Sequence, residues 1–491
     1  MKKNIALILA IILLMCALAA CNTDNGGHES SESGGSFIDS LTGVDYGGAE
    51  VTFLTCGIYQ TASSEILPNS YSDEENSVLE VVNDALSERY NLVEEKIGVV
   101  IREQYIYDPS RHGGTMIEHI RNTLASGTDA YQVCVPDLYD AATLSAEGLL
   151  IDLNTVPNLD LTSSWWDQSF NSEITIAGHT YFTIGDIGLV NKDATPCIAF
   201  NKNLFEEYDL ENPYDLVDSG SWTIDKLIEF SKHLSNDLNS DGVIDYSDEF
   251  GYGGQYDDIW CMFYGSGERL ASIGSDGYPY LTVYNERSVS VVDNILKLMQ
   301  DDLHYVSAND YFGVSQYPAE LVTQAFIDGR SLFNYSDIGD TDDFRDMADD
   351  FGLLPIPKYS EEQEEYNTLI NCWTSNAFCI PYTVEGETLE MTGLTLELMG
   401  AISEDILVHA YYDVALQYQK TRDDDTVRML DIIFSTRGCD LGMVFQWGGL
   451  DTMLHSLITS ESGAFASVYE TYKGKAEADM KETVDTYKKL N

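Results

Sequence analysis

Residues 97–137, IGVVIREQYIYDPSRHGGTMIEHIRNTLASGTDAYQVCVPD, carry the reading that decides the fold. IGVVIRE (97–103) is a short β-branched run, the pattern of a buried strand. Residues 115–126 place apolar side chains at helical spacing, and Gly127 stops them. YQVCVPD (131–137) is again strand-like and ends in Pro136-Asp137. Upstream, VTFLT (51–55) reads as a buried strand and residues 76–96 as a helix ending at Lys96. A further helix follows 137 and leads to EGLLIDL. Strands alternating with helices define βαβ units and a parallel sheet, and such sheets bind ligands beyond the carboxyl ends of their strands. Those ends carry Thr55-Cys56-Gly57-Ile58-Tyr59 and Pro136-Asp137.

A second α/β block begins near Cys197. PCIAFNKNLFEEYDL reads as strand then helix. SWTIDKLIEFSKHLSND predicts a helix over 223–236, with Ser221 or Thr223 as N-cap and Asp225 in its first turn. Residues 289–301 and 318–328 are helical in pattern, and GRSLFNYSD (329–337), FGLLPIPKY (351–359) and NAFCIP are strand-like. Residues 385–435 are mostly helical, and a charged amphipathic helix begins near 464. There is no internal repeat and no second apolar segment suited to a membrane.

The helix expected over 223–236 runs into DLNSDGVIDYSDE, which has the spacing of an EF-hand calcium loop. Oxygen-bearing residues occupy loop positions 1, 3, 5, 9 and 12 (Asp237, Asn239, Asp241, Asp245, Asp248), Gly242 stands at the sharp turn, and Val243 offers its carbonyl. Position 12 is an Asp, shorter than the usual Glu. The competing reading is an acidic turn on an acidic surface. A sensor uses paired loops that open a helix pair. Here one loop is followed by strand-like EFGYGG. Calcium is therefore expected as a structural clip.

The chain has 491 residues, 44% hydrophobic and 11% aromatic, enough for more than one globular domain. Its 82 acidic against 26 basic residues give a net charge of −56. That excludes nucleic acid and anionic headgroups as favoured partners. The scarcity of Arg and Lys also argues against an anionic ligand. Met1-Lys2-Lys3 and the apolar run 5–20 form a secretory signal, and Leu18-Ala19-Ala20-Cys21 resembles a bacterial lipobox, in which the Cys becomes the lipidated first residue. The following NTDNGGHESSESGGS cannot build a core and reads as a tether. Localisation is thus expected at the outer face of the cytoplasmic membrane, attached through the lipid on Cys21 alone. Beyond Cys16 and Cys21, seven scattered cysteines show no zinc spacing and read as buried hydrophobes, with a Cys372–Cys379 disulfide left open.

Several motifs sharpen this picture. GHTYFTIGDIGLVNKDATPCIAFNKNLFEEYDL, AFIDGRSLFNYSD and FGLLPIPK, in that order, resemble segments of extracellular solute-binding proteins of ABC importers, maltose-binding-like (family 1). YYDVALQYQKTRDDDTVRMLDII and WWDQSF are similar to one branch of that family. The resemblance implies an α/β, two-lobed periplasmic-binding-protein-like fold (type II) with a hinge between lobes that close over a solute. It implies a carbohydrate ligand delivered to ABC transporter permease subunits by a monomer that is not an enzyme. The expected layout is a signal peptide (1–20), tether (21–44), lobe 1 (45–186 and 373–428) and lobe 2 (187–372 and 429–491).

Sugars need flat aromatic platforms and carboxylates or amides that hold hydroxyl pairs. Trp260 falls where the family places a cleft aromatic, Trp373 beside a hinge crossing, and Trp447 in a loop between Gln446 and two glycines. The alternative for each is a place in the core, and Trp165, Trp166 and Trp222 read first as packing anchors. Polar candidates are Tyr59, Asp137, Asp186 and Asp337, each otherwise ordinary acidic or polar surface. The motifs G-x-S-x-G, H-E-x-x-H and the Walker loop are absent. A lipid-anchored adhesin, a sensor-feeding protein for another small solute or peptide, and a surface glycoside hydrolase remain as alternatives.

Overall fold

The computed structural model describes residues 34–58, 65–68, 77–412, 424–459 and 465–490. The signal segment, Cys21, most of the tether and Tyr59 lie outside the described residues.

Lobe 1 is built as the 97–137 stretch predicts. Helix α1 (Gly34–Ser40) precedes β1 (Ala49–Gly57), α2 (Ser77–Ile97), β2 (Val99–Tyr107), α3 (Thr115–Ser126), β3 (Val133–Val135) and α4 (Leu138–Ala146). Three parallel strands stand in the order β2-β1-β3, with Ala49 opposite Val99 and Phe53 opposite Val133. β1 is central, so Val51, Phe53 and Leu54 are covered on both faces. Full burial of such side chains contributes roughly 1.5–3 kcal/mol each. α3 turns Met116, Ile117, Ile120 and Leu124 inward and ends at Gly127, whose φ of +68° closes the C-cap.

Lobe 2 holds β4 (Pro196–Asn201), α5 (Ile224–Ser231), β5 (Ser235–Asn236), β6 (Glu249–Gly254), α6 (Asp258–Gly265), α7 (Glu286–Met299), β7 (Tyr305–Ser307), β8 (Ser331–Asp337) and β9 (Phe351–Leu354). Its six-stranded sheet runs β9-β4-β8-β6-β5, with β7 also on β6. An aromatic nucleus fills one face: Phe205 lies 5.4 Å from Phe333 and 5.3 Å from Phe200, and Trp222 lies 5.9 Å from Phe333.

The chain then passes back. β10 (Thr368–Leu369) precedes a return segment that adds antiparallel bridges to lobe 1, Cys134 to Cys379 and Thr183 to Phe378. α8 (Gly386–Ile402) is apolar nearly all round and is buried against α1 and α2. α9 (Asp424–Ser435) lies on β9, β11 (Arg437–Gly438) pairs with β10, and α10 (Leu441–Phe445), α11 (Leu450–Ile458) and α12 (Phe465–Tyr487) close the chain. The architecture is the expected two-lobed α/β fold. Two crossings between lobes lie among the described residues, near 185–195 and 371–375.

Three expectations are corrected. The tether does not reach residue 44: α1 packs on lobe 1, with the Phe37 ring 5.6 Å from Trp165. The lobe boundary at 428/429 falls inside α9, which belongs with lobe 2. The helix expected over 223–236 ends at Ser231, because Ser235 and Asn236 pair with Phe250 and Glu249 instead. All seven described cysteines are buried and free, so Cys372 and Cys379 are not joined. Among the described residues, no helix is long and apolar enough to cross a membrane.

Candidate functional site

Pro136-Asp137 ends β3 as a parallel sheet requires, with its polar groups at the carboxyl edge. Asp137 caps α4, its Oδ1 accepting the Asp140 N–H at 3.1 Å. One turn on, Asp140 Oδ1 accepts the Gly113 N–H at 2.8 Å and faces His112 Nδ1 at 3.2 Å. Both carboxylates are fully buried, and the Oδ2 atom of each has no partner. Burial, and then the neighbouring Asp140, push the Asp137 carboxyl up to about 7. The hydrogen bond to Asp140 raises His112 above the usual imidazole range.

Arg111 lies beside them in a left-handed backbone conformation, φ +51°. Its Nη2 donates to Thr374 O at 2.8 Å and Asn376 Oδ1 at 2.6 Å, and the Trp373 ring lies 5.6 Å from the guanidinium. Trp373 is 41% exposed, so a large flat surface stands open at the second crossing. Asn376 in turn donates to Glu65 Oε1 at 3.0 Å, and Glu65 Oε2 accepts the Val190 N–H at 3.1 Å. Burial raises the Glu65 carboxyl, and the Asn376 and Val190 hydrogen bonds hold it partly back. The two crossings are thereby joined through one side chain of lobe 1.

Lobe 2 contributes the opposite wall. Asp337 ends β8, and its Oδ2 accepts Asn371 Nδ2 at 3.0 Å under the second crossing. Trp260 on α6 stacks on His455 at 4.1 Å and donates its Nε1 to Asp451 O at 3.0 Å. His455 Nε2 lies 3.0 Å from Asp257 Oδ1. Buried Tyr139 of α4 is raised well above its ordinary value, by burial first and then by Cys372, Asp451, Asp257 and Asp137. Those neighbours come from both lobes. A cavity of about 440 Å³ lined by Tyr256, Tyr305 and Asp310 adjoins the Trp260–His455 pair. A slightly larger one, about 470 Å³, is lined by Phe200, Lys202, Tyr214 and Asp425, none of which belongs to these walls.

Of the four candidates, Asp137 is fully buried after β3, Asp337 ends β8, Trp260 is stacked on His455, and Trp373 is exposed at the second crossing. Asp186 sits at the first crossing and is paired with Lys192 at 2.8 Å. Trp447 is corrected: it is 2% exposed, stacked on Phe445 and bonded through Nε1 to Thr483 Oγ1, a core residue. Arg111, His112, Tyr139, Asp140, Asn371 and His455 were not anticipated. The i, i+3 spacing of Asp137 and Asp140 at a helix start was the available signal for the acidic pair.

In the calcium-like loop, Asp237 Oδ1 accepts the Ser240 N–H at 2.6 Å and Asp237 Oδ2 the Gly242 N–H at 2.8 Å. Asn239 and Asp241 accept the N–H two residues on, and Asp245 that of Ser247. Asp248 is buried and accepts from Leu238 at 2.8 Å and Asp245 at 3.0 Å, bridging the two arms of the β5–β6 turn. Its donor set is all oxygen, the chemistry that suits calcium.

No family model matches this sequence, and no curated protein matches it. Solved structures do. The substrate-binding protein UgpB of Mycobacterium tuberculosis, solved with glycerophosphocholine, aligns at TM-score 0.56 and 14% identity over 89% of this chain and 100% of its own. The ABC substrate-binding protein Lmo0181 of Listeria monocytogenes, solved with cycloalternan, aligns at TM-score 0.54 and 12% identity over 88% of this chain and 98% of its own. An ABC transporter solute-binding protein of Agrobacterium radiobacter, solved with ribitol, gives TM-score 0.53 and 14% identity over 88% and 100%. The chain has the two-lobed fold of ABC-transporter solute-binding proteins.

Proposed function

We propose that this protein captures a carbohydrate, a sugar or oligosaccharide, between its lobes and delivers it to the permease subunits of an ABC importer. The observation that carries this reading is the open Trp373 platform at the second crossing, with Asp337 bonded to Asn371 two residues before it. The ring suits an apolar sugar face, and carboxylates and amides suit its hydroxyls. The solved proteins of this fold that bind cycloalternan and ribitol support the ligand class. Such a protein binds its solute unchanged and is not an enzyme. It acts as a monomer held at the outer face of the cytoplasmic membrane by lipid on Cys21.

Calcium serves this protein as a clip. Asp237, Asn239, Asp241, Asp245 and Asp248 offer side-chain oxygens and Val243 its carbonyl, and calcium there ties β5 to β6 at the edge of the lobe 2 sheet. It acts on stability and does not report calcium.

The test is a thermal-shift screen against mono- and oligosaccharides with calcium held constant. A ligand at ~100 times its Kd adds about 2.7 kcal/mol. A reproducible rise with one sugar class, confirmed by calorimetry, is expected. No rise across a broad panel, with a rise for peptides instead, would refute the carbohydrate reading.

A further inference from the structure

We propose that His112, Asp137 and Asp140 form a binding site on lobe 1 for a divalent transition-metal ion, of the zinc or manganese kind. One ligand atom from each residue can be chosen so that all three lie within 4.8 Å of one another. Both carboxylates are fully buried, and each spends one oxygen on the backbone: Asp137 Oδ1 on the Asp140 N–H, Asp140 Oδ1 on the Gly113 N–H. Their Oδ2 atoms have no partner. A buried carboxylate oxygen without a donor or counter-ion is costly, and two side by side repel as well.

The fixed cation nearby does not bond them. Arg111 commits Nη2 to Thr374 O and Asn376 Oδ1, and the Trp373 ring lies against its guanidinium. Arg111 and His112 offset part of the charge through space, but neither bonds an Oδ2 atom, and both of these oxygens are left for a cation from outside. His112 supplies the way in: its side chain is 39% exposed, so the imidazole can swing while the two carboxylates stay fixed. An imidazole nitrogen with two carboxylates is a donor set for first-row transition ions. Calcium and magnesium prefer oxygen alone, which separates this site from the 237–248 loop. Three protein ligands leave coordination positions for water.

The experiment is a zinc titration of the full-length chain by calorimetry, in millimolar calcium and without sugar, with cobalt absorption as a second readout. One zinc per chain and a cobalt visible band are expected, and both are lost in H112Q, D137N and D140N. Loss of an outer partner alone costs about 10–100-fold in metal affinity, so loss of a ligand weakens zinc at least tenfold. H112Q alters a half-exposed side chain, and its unchanged urea midpoint without zinc would separate lost ligation from misfolding. Equal zinc affinity in wild type and H112Q, or no zinc binding at all, would overturn the proposal. Because no solute is present, that failure would leave the carbohydrate reading untouched.

Discussion

Arg89 on α2 is 1% exposed, and among the described residues no carboxylate is paired with its guanidinium. It is held by oxygen atoms instead: Nη1 donates to Ile187 O at 2.7 Å and Ser403 Oγ at 2.9 Å, Nη2 to Glu65 O at 2.6 Å and Ile66 O at 2.9 Å. One side chain thus joins the loop after β1, the first crossing and the end of α8. Replacing it with Met keeps much of the volume but withdraws the donor from three carbonyls and a hydroxyl. Each buried acceptor that loses its donor costs about 1–3 kcal/mol. Against that stands relief from burying the guanidinium, whose burial pushes its pKa down to about 10. Setting the two against each other, R89M should cost about 3–5 kcal/mol, the range for breaking a buried charged network. At ~2.1 cal/mol/K per residue, a chain of this length shifts its Tm by only about 1 °C per kcal/mol. Equilibrium urea unfolding followed by tryptophan fluorescence is the assay, with R89K beside it. Lysine presents a point charge in place of the planar fork and should recover little. A loss below about 1 kcal/mol for R89M, or full recovery in R89K, would refute the idea that the forked geometry does the joining.

W373A should weaken sugar binding by about 10- to 100-fold, as loss of an aromatic platform and a desolvated contact implies (~1.4–2.7 kcal/mol), with little change in the urea midpoint; isothermal titration decides it. W447A should do the reverse, costing about 3–5 kcal/mol of stability while the folded fraction keeps its affinity. D248A should abolish the stabilisation by calcium, measured as the difference in urea midpoint between calcium and chelator. Burial raises the carboxyls of Asp258, Asp337, Glu397, Asp440 and Asp451. A raised carboxyl binds its proton more tightly folded than unfolded, so its stabilising effect is complete below the unfolded value near 4 and is lost as pH rises through the folded value. The urea midpoint should therefore be higher at about pH 5 than at about pH 8, and the opposite order would contradict those shifts.

The strand–helix alternation of lobe 1 was legible because each element there carries its own local signal: a β-branched run, a helical apolar stripe, a glycine stop. What failed did so where distant partners decide. KHLSND has nothing against helix, yet Ser235 and Asn236 leave it to pair with β6. Gly448 and Gly449 read as an open loop around Trp447. Gly448 is there for close packing, since a Cβ on it would come within 2.4 Å of the Ala476 nitrogen on α12, and Gly449 holds a φ of +80°. Asp137, Trp260, Asp337 and Trp373 were accessible as strand ends and aromatics near a crossing. Arg111 and His112 were not, because they precede α3 in sequence and reach Asn376 and Asp140 only through the folded sheet.

Glu65 holds both described crossings at once, Asn376 with one oxygen and the Val190 N–H with the other. Two pins set in the same doorpost allow a door to swing but not to wobble. Val190 and Asn376 are thereby fixed to lobe 1 through the same side chain. Removing that carboxylate would release both crossings together, and the first would then be left to Arg89 on Ile187 O.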